Sequence, residues 1–199
     1  MGDVPADLAA HPDRLRWNAR YLGGSGGSFE PHPLAETALA LGLPDGPVAD
    51  LACGPSGSAL LAAAAGRRVT AVDVSEVALD LLAAEARRRG LDALISCVQA
   101  DLSGWRPEPP DYALVLCTGY WDRAVFPVAA GAVAENGALG WEAFTAEARR
   151  ARPGLCPAWC LEPGEPASLL PEGFTVLSQD DLPDTRHGTR RRLLARRES

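Results

Sequence analysis

Short apolar runs alternate with longer mixed stretches from residue 48 onward. Residues 48–53, bounded by Pro47 and Gly54, predict a buried strand, because a continuous apolar run this short between turn formers suits a strand. Residues 58–65 are rich in Ala and Leu and stop at Gly66, as a helix with a C-terminal glycine does. Residues 68–74 carry the β-branched side chains of a second strand, and Ser75 can cap a helix running to Arg89 before Gly90. Residues 94–99 and 111–117 predict the third and fourth strands. A helix is expected from about Asp122 to Glu135, a turn at Asn136-Gly137, and a fifth strand over residues 138–144.

Strands alternating with helices predict a parallel sheet covered on both faces. The run Ala113-Leu114-Val115-Leu116-Cys117 has the unbroken apolar character of a strand buried on both sides. Two later runs, residues 174–179 and 189–195, follow a proline-rich segment over 153–171 and predict an antiparallel pair finishing the sheet. Ahead of the sheet, residues 33–43 read as a helix stopped by Gly42 and Pro44, and residues 12–21 as a short amphipathic piece. The Gly/Ser tract over 23–28 reads as a flexible loop in an N-terminal flap. The expectation is one doubly wound α/β domain over residues 1–199, with a lid over 1–32 and the core over 33–199.

Composition narrows the class. Of 199 residues, 47% are hydrophobic, enough to exclude disorder as the main state. No stretch approaches the ~20 apolar residues of a membrane span. The first ten residues hold Asp3 and Asp7 and no basic cluster, so no signal peptide is read there and a cytoplasmic, membrane-free protein is expected. The net charge of −7 argues against nucleic acid as a partner, since that binding rests on neutralising phosphates. Every base is arginine, and six gather as Arg186, Arg190, Arg191, Arg192, Arg196 and Arg197, either a solvated terminal hairpin or a site for an anionic partner. Cys53, Cys97, Cys117, Cys156 and Cys160 form no C-x-x-C, which points to reduced thiols and no metal.

In open α/β sheets the ligand sits at the carboxyl ends of the strands. After the first strand the chain reads Asp50-Leu51-Ala52-Cys53-Gly54-Pro55-Ser56-Gly57, where glycines admit a ligand to the backbone and the following helix offers free N–H groups. Asp73, after the second strand, can accept both hydroxyls of a ribose. Asp101 after the third can accept the amine of adenine, and Cys117-Thr118-Gly119-Tyr120-Trp121 after the fourth forms a polar and aromatic rim. Together they predict a nucleoside site. Ala52-x-Gly54-x-x-Gly57 is a degenerate dinucleotide fingerprint, which keeps a nicotinamide-dependent oxidoreductase as an alternative, and a noncatalytic binding module is a second. Asp50 before the glycine turn would repel a pyrophosphate and attract a ligand bearing an ammonium and a sulfonium, which favours S-adenosylmethionine.

Val48-Ala49-Asp50-Leu51-Ala52-Cys53-Gly54, Val69-Thr70-Ala71-Val72-Asp73-Val74-Ser75 and Gln99-Ala100-Asp101-Leu102 resemble the successive motifs of class I S-adenosylmethionine-dependent methyltransferases. A finer resemblance is to the small tellurite-resistance and thiopurine-type branch. It is carried by Trp17-Asn18-Ala19-Arg20-Tyr21, Tyr120-Trp121-Asp122-Arg123 and Glu142-Ala143-Phe144-Thr145. The sequence departs from the branch at Ala52 and near Ser56, where glycine is usual, and at Gly119, where relatives often carry histidine.

The resemblance implies a Rossmann-like, doubly wound, mostly parallel seven-stranded sheet with an antiparallel C-terminal strand. It implies an enzyme that moves a methyl group by in-line displacement to a small molecule, whose acceptor atom is a thiol, metalloid, amine or hydroxyl. Asp50, Cys53, Gly54 and Ser56 would face the methionine part of the donor, Asp73 and Val74 the ribose and adenine face, and Asp101 with Leu102 the adenine edge. Cys117 and Thr118 would lie under the sulfonium, with Trp17 and Tyr21 over the donor. Tyr120, Trp121, Arg123, Glu142 and Trp159 are the expected acceptor contacts. Tyr120 and Glu142 are candidates for catalysis, with His11 or His32 in the lid as further bases. The segment Trp159-Cys160-Leu161-Glu162, aromatic and acidic, suggests a small neutral or cationic acceptor. The chain is expected to act as a monomer or homodimer.

Overall fold

The computed structural model describes residues 4–24, 28–107 and 111–199. Helices α1 (Pro12–Leu22) and α2 (Pro33–Leu39) precede the sheet. The first half of the sheet is β1 (Val48–Leu51), α3 (Gly57–Ala64), β2 (Val69–Asp73), α4 (Glu76–Arg89) and β3 (Ile95–Gln99). The second half is β4 (Tyr112–Thr118), α5 (Val125–Gly131), β5 (Val133–Phe144), β6 (Phe174–Leu182) and β7 (Arg190–Arg197). The seven strands lie in the order β3-β2-β1-β4-β5-β7-β6. Pairs from β3 through to β5 are parallel, and β7 runs antiparallel between β5 and β6. This is the mostly parallel seven-stranded sheet with an antiparallel C-terminal strand that the resemblance implies.

Strand alternation splits the core into two layers. On β4, Leu114 and Leu116 pack with Leu34, Leu60 and Leu82 of α2, α3 and α4, while Val115 and Cys117 pack on the opposite face with Phe126 of α5. There Trp121, Phe126 and Trp141 are fully buried and meet edge to face or tilted, Phe126 and Trp141 at 5.1 Å between ring centres. Helix α4 has the ends its sequence predicts. Ser75 accepts the Ala78 N–H, and Gly90 takes the left-handed conformation that ends the helix.

Two predicted helices are shorter than expected. Helix α2 ends at Leu39, and Leu41 and Leu43 turn onto the core from the irregular segment that follows. The carbonyls freed there are taken by arginines: Arg196 donates to Leu41, and Arg67 to Pro44 and Gly46. The helix expected over residues 122–135 ends at Gly131, and Val133 already pairs with Tyr112 in the sheet. Asn136 (φ +61°) and Gly137 therefore form a bulge inside β5, between the Tyr112–Val133 and Leu114–Ala138 pairs, and not a turn ahead of it. Of the Gly/Ser tract, residues 25–27 lie outside the described residues.

Candidate active site

Strand order reverses between β1 and β4, and the turns that leave the strands at this point frame a cleft of about 580 Å³. The turn after β1 takes the left-handed region twice, at Ala52 (φ +48°) and Gly54 (φ +58°). Glycine adopts that conformation freely, whereas alanine there costs roughly 1 kcal/mol. Gly54 has a second reason to be glycine, since a Cβ would stand 2.8 Å from the Tyr21 hydroxyl. Ser56 then caps α3 by accepting the Ala59 N–H at 2.9 Å, and donates its own hydroxyl to Asp50 at 2.5 Å.

Asp73 ends β2 and braces two turns at once. One carboxylate oxygen accepts the Gly54 N–H at 2.8 Å and the other the Ser75 N–H at 2.8 Å. Burial pushes the carboxyl up, against the backbone donors of Ser75, Gly54 and Val74 that favour its charge. Helix α1 is tied to the start of α4 beside it. Arg14 forks onto Glu76, Asn18 donates to the same carboxylate at 2.8 Å, and the Ser75 hydroxyl donates to Asn18 at 2.6 Å. Trp17 and Tyr21 stack at 5.8 Å along the cleft wall.

The cleft brings together most of the residues singled out in the sequence. Trp17 and Tyr21 line it with Cys53 and Gly54, then Asp73 and Val74. Asp101, Leu102, Thr118, Tyr120, Trp121 and Trp159 complete the set. Trp121 is almost wholly buried, and its indole N–H meets no acceptor among the described residues.

Five others do not line the cleft. Asp50 is sealed beneath Ser56, and burial pushes its carboxyl up to about 6 despite that hydrogen bond. Ser56 is spent on its two bonds, and Cys117 is a buried wall residue whose thiol donates to the Tyr120 carbonyl. Arg123 forks onto Glu165 at 2.7 and 2.9 Å and so fastens the proline-rich segment instead of facing an acceptor. Glu142 is held by His32 at 3.3 Å, Arg192 at 2.8 Å and Arg190 at 3.5 Å. Burial alone would raise its carboxyl, but His32 and Arg192 outweigh that and hold it down at about 2. A carboxylate so paired is held in its charged form beside the cleft and does not line it.

Other groups at the cleft are poor bases. Burial pushes the Tyr120 phenol upward, with Asp122 and Asp101 adding to it, so the hydroxyl stays neutral. Burial likewise raises the Cys53 and Cys117 thiols, with Asp50 adding to it, so both stay protonated. His11, the residue before α1, lines the cleft with one ring nitrogen 3.7 Å from Asp101.

Sequence reasoning missed Phe144, Arg152 and Arg190 as cleft residues, and with them Arg16 and Arg20 of α1. Arg16 lies over the rings of Trp17 (5.4 Å) and Trp159 (4.7 Å) and so spans the cleft mouth. The signal available was the C-terminal arginine cluster, but alternation distributes it. Arg191 pairs with Asp181, Arg192 with Glu142, and Arg196 and Arg197 donate to the backbone carbonyls of Leu41 and Val133, leaving Arg190 opposite Phe144. The acidic character read from Glu162 is also corrected, since Glu162 faces Arg123 at 4.0 Å and does not line the cleft.

No helix among the described residues is long and apolar enough to cross a membrane, and no group of three or more metal-ligating side chains stands together among them. A family model described as a methyltransferase domain matches residues 48–136, the segment from β1 into the bulge of β5. A search of curated proteins finds no match. Among solved structures, the chain is similar to magnesium protoporphyrin IX methyltransferase from Synechocystis PCC 6803 with bound S-adenosylhomocysteine. Identity is 18%, coverage 100% of this chain and 90% of that one, and TM-score 0.65. It is similar to TehB from Haemophilus influenzae at 17% identity, covering 90% and 66%, with TM-score 0.66. The N-methyltransferase NodS from Bradyrhizobium japonicum WM9, in complex with S-adenosyl-L-homocysteine, matches at 15% identity over 100% and 94%, with TM-score 0.65. At these identities the likeness speaks for the fold, which is that of the solved methyltransferases, and the family match speaks for a methyltransferase domain over residues 48–136.

Proposed function

We propose that the cleft at the ends of β1 to β4 holds S-adenosylmethionine and that the chain transfers its methyl group to a small-molecule acceptor by in-line displacement. The observation that carries this is the Asp73 carboxylate. Its oxygens accept backbone N–H groups of the turns on either side and still have acceptor capacity for a hydroxyl, beside a turn whose Gly54 has no side chain to obstruct a ligand. A volume of about 580 Å³ suits a nucleoside with a small molecule beside it.

When bound, the donor supplies a methyl group already activated on a sulfonium. The chain's own residues then have to bind, orient and exclude water. Asp73 takes the ribose hydroxyls, Val74 and Leu102 flank the adenine, and Asp101 accepts at its edge. Cys53, Gly54 and Thr118 meet the methionine end, while Asp50, Ser56 and Cys117 hold the turn and wall from beneath. Trp17 and Tyr21 cover the donor from α1, within a lid formed by the N-terminal arm on a single domain. Holding the reacting atoms aligned can supply several kcal/mol of the barrier. The Tyr120 phenol and the Cys53 thiol stay protonated, so an acceptor nucleophilic in its own right, such as a thiolate, an amine or an already ionised hydroxyl, needs the least help, and His11 beside Asp101 is the cleft's candidate base for any other.

Calorimetry with S-adenosylhomocysteine tests this reading. The wild-type chain binds it, and Asp73→Ala weakens binding by about 10–100-fold, the loss of a charge-assisted hydrogen-bond pair worth roughly 1.5–3 kcal/mol. Unchanged affinity in the variant overturns the assignment.

A further inference from the structure

The acceptor end of the cleft is cationic and aromatic. Phe144, the last residue of β5, carries the Arg152 guanidinium at 4.7 Å from its ring centre and the Arg190 guanidinium at 4.9 Å. Both guanidiniums are partly open to solvent and so are free to meet a ligand in the cleft. Arg152 has no carboxylate partner among the described residues. The carboxylate nearest Arg190 is Glu142 at 3.5 Å, already engaged at 2.8 Å by Arg192 and at 3.3 Å by His32. The carboxylates that do line the cleft are Asp13, Asp73 and Asp101. Asp13 pairs with Arg16 at 3.0 Å, and the other two follow β2 and β3 on the donor side.

The backbone that presents the two arginines is fixed. Arg190 pairs with Phe144 across the β5–β7 ladder, and the Arg152 N–H bonds to the Ala148 carbonyl at 2.9 Å. Leu161 bonds back to the Phe144 carbonyl at 2.8 Å, which seats the proline-rich segment, and the half-exposed Trp159 stands at its edge. Apolar rings beside two arginines make a site for a flat body bearing a negative group.

Resting on the methyl-transfer reading above, we infer that the acceptor is a planar organic anion, its carboxylate or phosphate held by Arg152 and Arg190 and its flat body in the cleft beside the Phe144 and Trp159 rings, each of which carries arginine. The nucleophilic atom, at the other end of the molecule, then points toward Thr118 and the donor. The acidic residues on the donor side repel the same anion, which fixes its direction in the cleft.

The test uses the full chain loaded with S-adenosylhomocysteine and three probes of one shape, 2-naphthoate, 2-naphthamide and 2-naphthylmethylammonium, titrated in calorimetry at low salt. Naphthoate is expected to bind at least about tenfold tighter than the amide, with the ammonium weakest. Arg152→Gln should shrink the naphthoate preference to about threefold or less, whereas Arg152→Lys retains much of it. Equal affinity for anion and amide, preference for the ammonium, or no binding of any probe overturns the inference. Failure of adenosylhomocysteine itself to bind overturns the underlying reading instead, and the two results are distinguishable in one titration series.

Discussion

Ser56 donates its hydroxyl to Asp50 at 2.5 Å and with the same oxygen accepts the N–H of Ala59, so one side chain both caps α3 and closes the carboxylate off from the cleft. That enclosure sets a pH dependence. The folded Asp50 sits near 6, raised by burial, while in the unfolded chain it titrates near its ordinary ~3.9. The fold therefore prefers the protonated form. Its contribution is fully present below about pH 4 and is lost as pH rises through 6, by an amount on the order of 2–3 kcal/mol. Asp50→Asn should gain on the wild type by up to that amount between pH 4 and pH 7.5 in urea unfolding. Parallel pH profiles for the two proteins would remove the account of this carboxylate.

Glu142 should act in the opposite sense. Its folded value of about 2 lies below the unfolded one, so its contribution is present above about pH 4.3 and is lost as pH falls toward 2. Glu142→Gln leaves Arg192 and His32 facing a neutral group, and a loss on the order of 3 kcal/mol at pH 7 is expected. Because the residue does not line the cleft, affinity for adenosylhomocysteine should stay within about threefold of wild type. A variant of full stability with abolished turnover would restore Glu142 as a catalytic group.

The turn after β1 gives a contrast within three residues. Ala52→Gly removes the left-handed cost of about 1 kcal/mol but adds unfolded-state entropy of similar size, so a change of no more than about 1 kcal/mol is expected, in the stabilising direction. Gly54→Ala adds that strain and sets a methyl 2.8 Å from the Tyr21 hydroxyl, so it should weaken both stability and donor affinity. Urea midpoints and calorimetry on the two variants separate the effects, and the prediction fails if Gly54→Ala is neutral in both.

Helix α1 has no fully buried residue and is held chiefly by polar bonds to Ser75 and Glu76. Elements with few buried apolar contacts open most readily. Glu76→Ala should speed limited proteolysis within α1 severalfold, and adenosylhomocysteine should slow it in the wild type by covering Trp17 and Tyr21. Cleavage indifferent to both the substitution and the ligand would make the arm passive.

The sequence by itself determined the sheet and the part of the cleft formed just after β1 to β4. A parallel strand buried on both faces is apolar throughout, so β1, β2 and β4 announce themselves, and the polar residues that follow each strand must then stand together at one edge. Asp73, Asp101 and Thr118 were legible for that reason. The caps Ser75 and Gly90 were legible because they act within a few residues of chain.

Only the tertiary structure decided what each polar group faces. Asp50, Arg123 and Glu142 have the right residue types at the right strand ends, yet Ser56, Glu165 and Arg192 claim them from 6, 42 and 50 residues away. The Phe144 end of the cleft was hidden because its two arginines are separated in the chain by the proline-rich segment and β6. Arg152 and Arg190 meet at Phe144 only once β7 has inserted beside β5, and no local pattern encodes that pairing. Period and capping are local and can be read from neighbours in the chain, whereas charge compensation depends on which strand lies beside which.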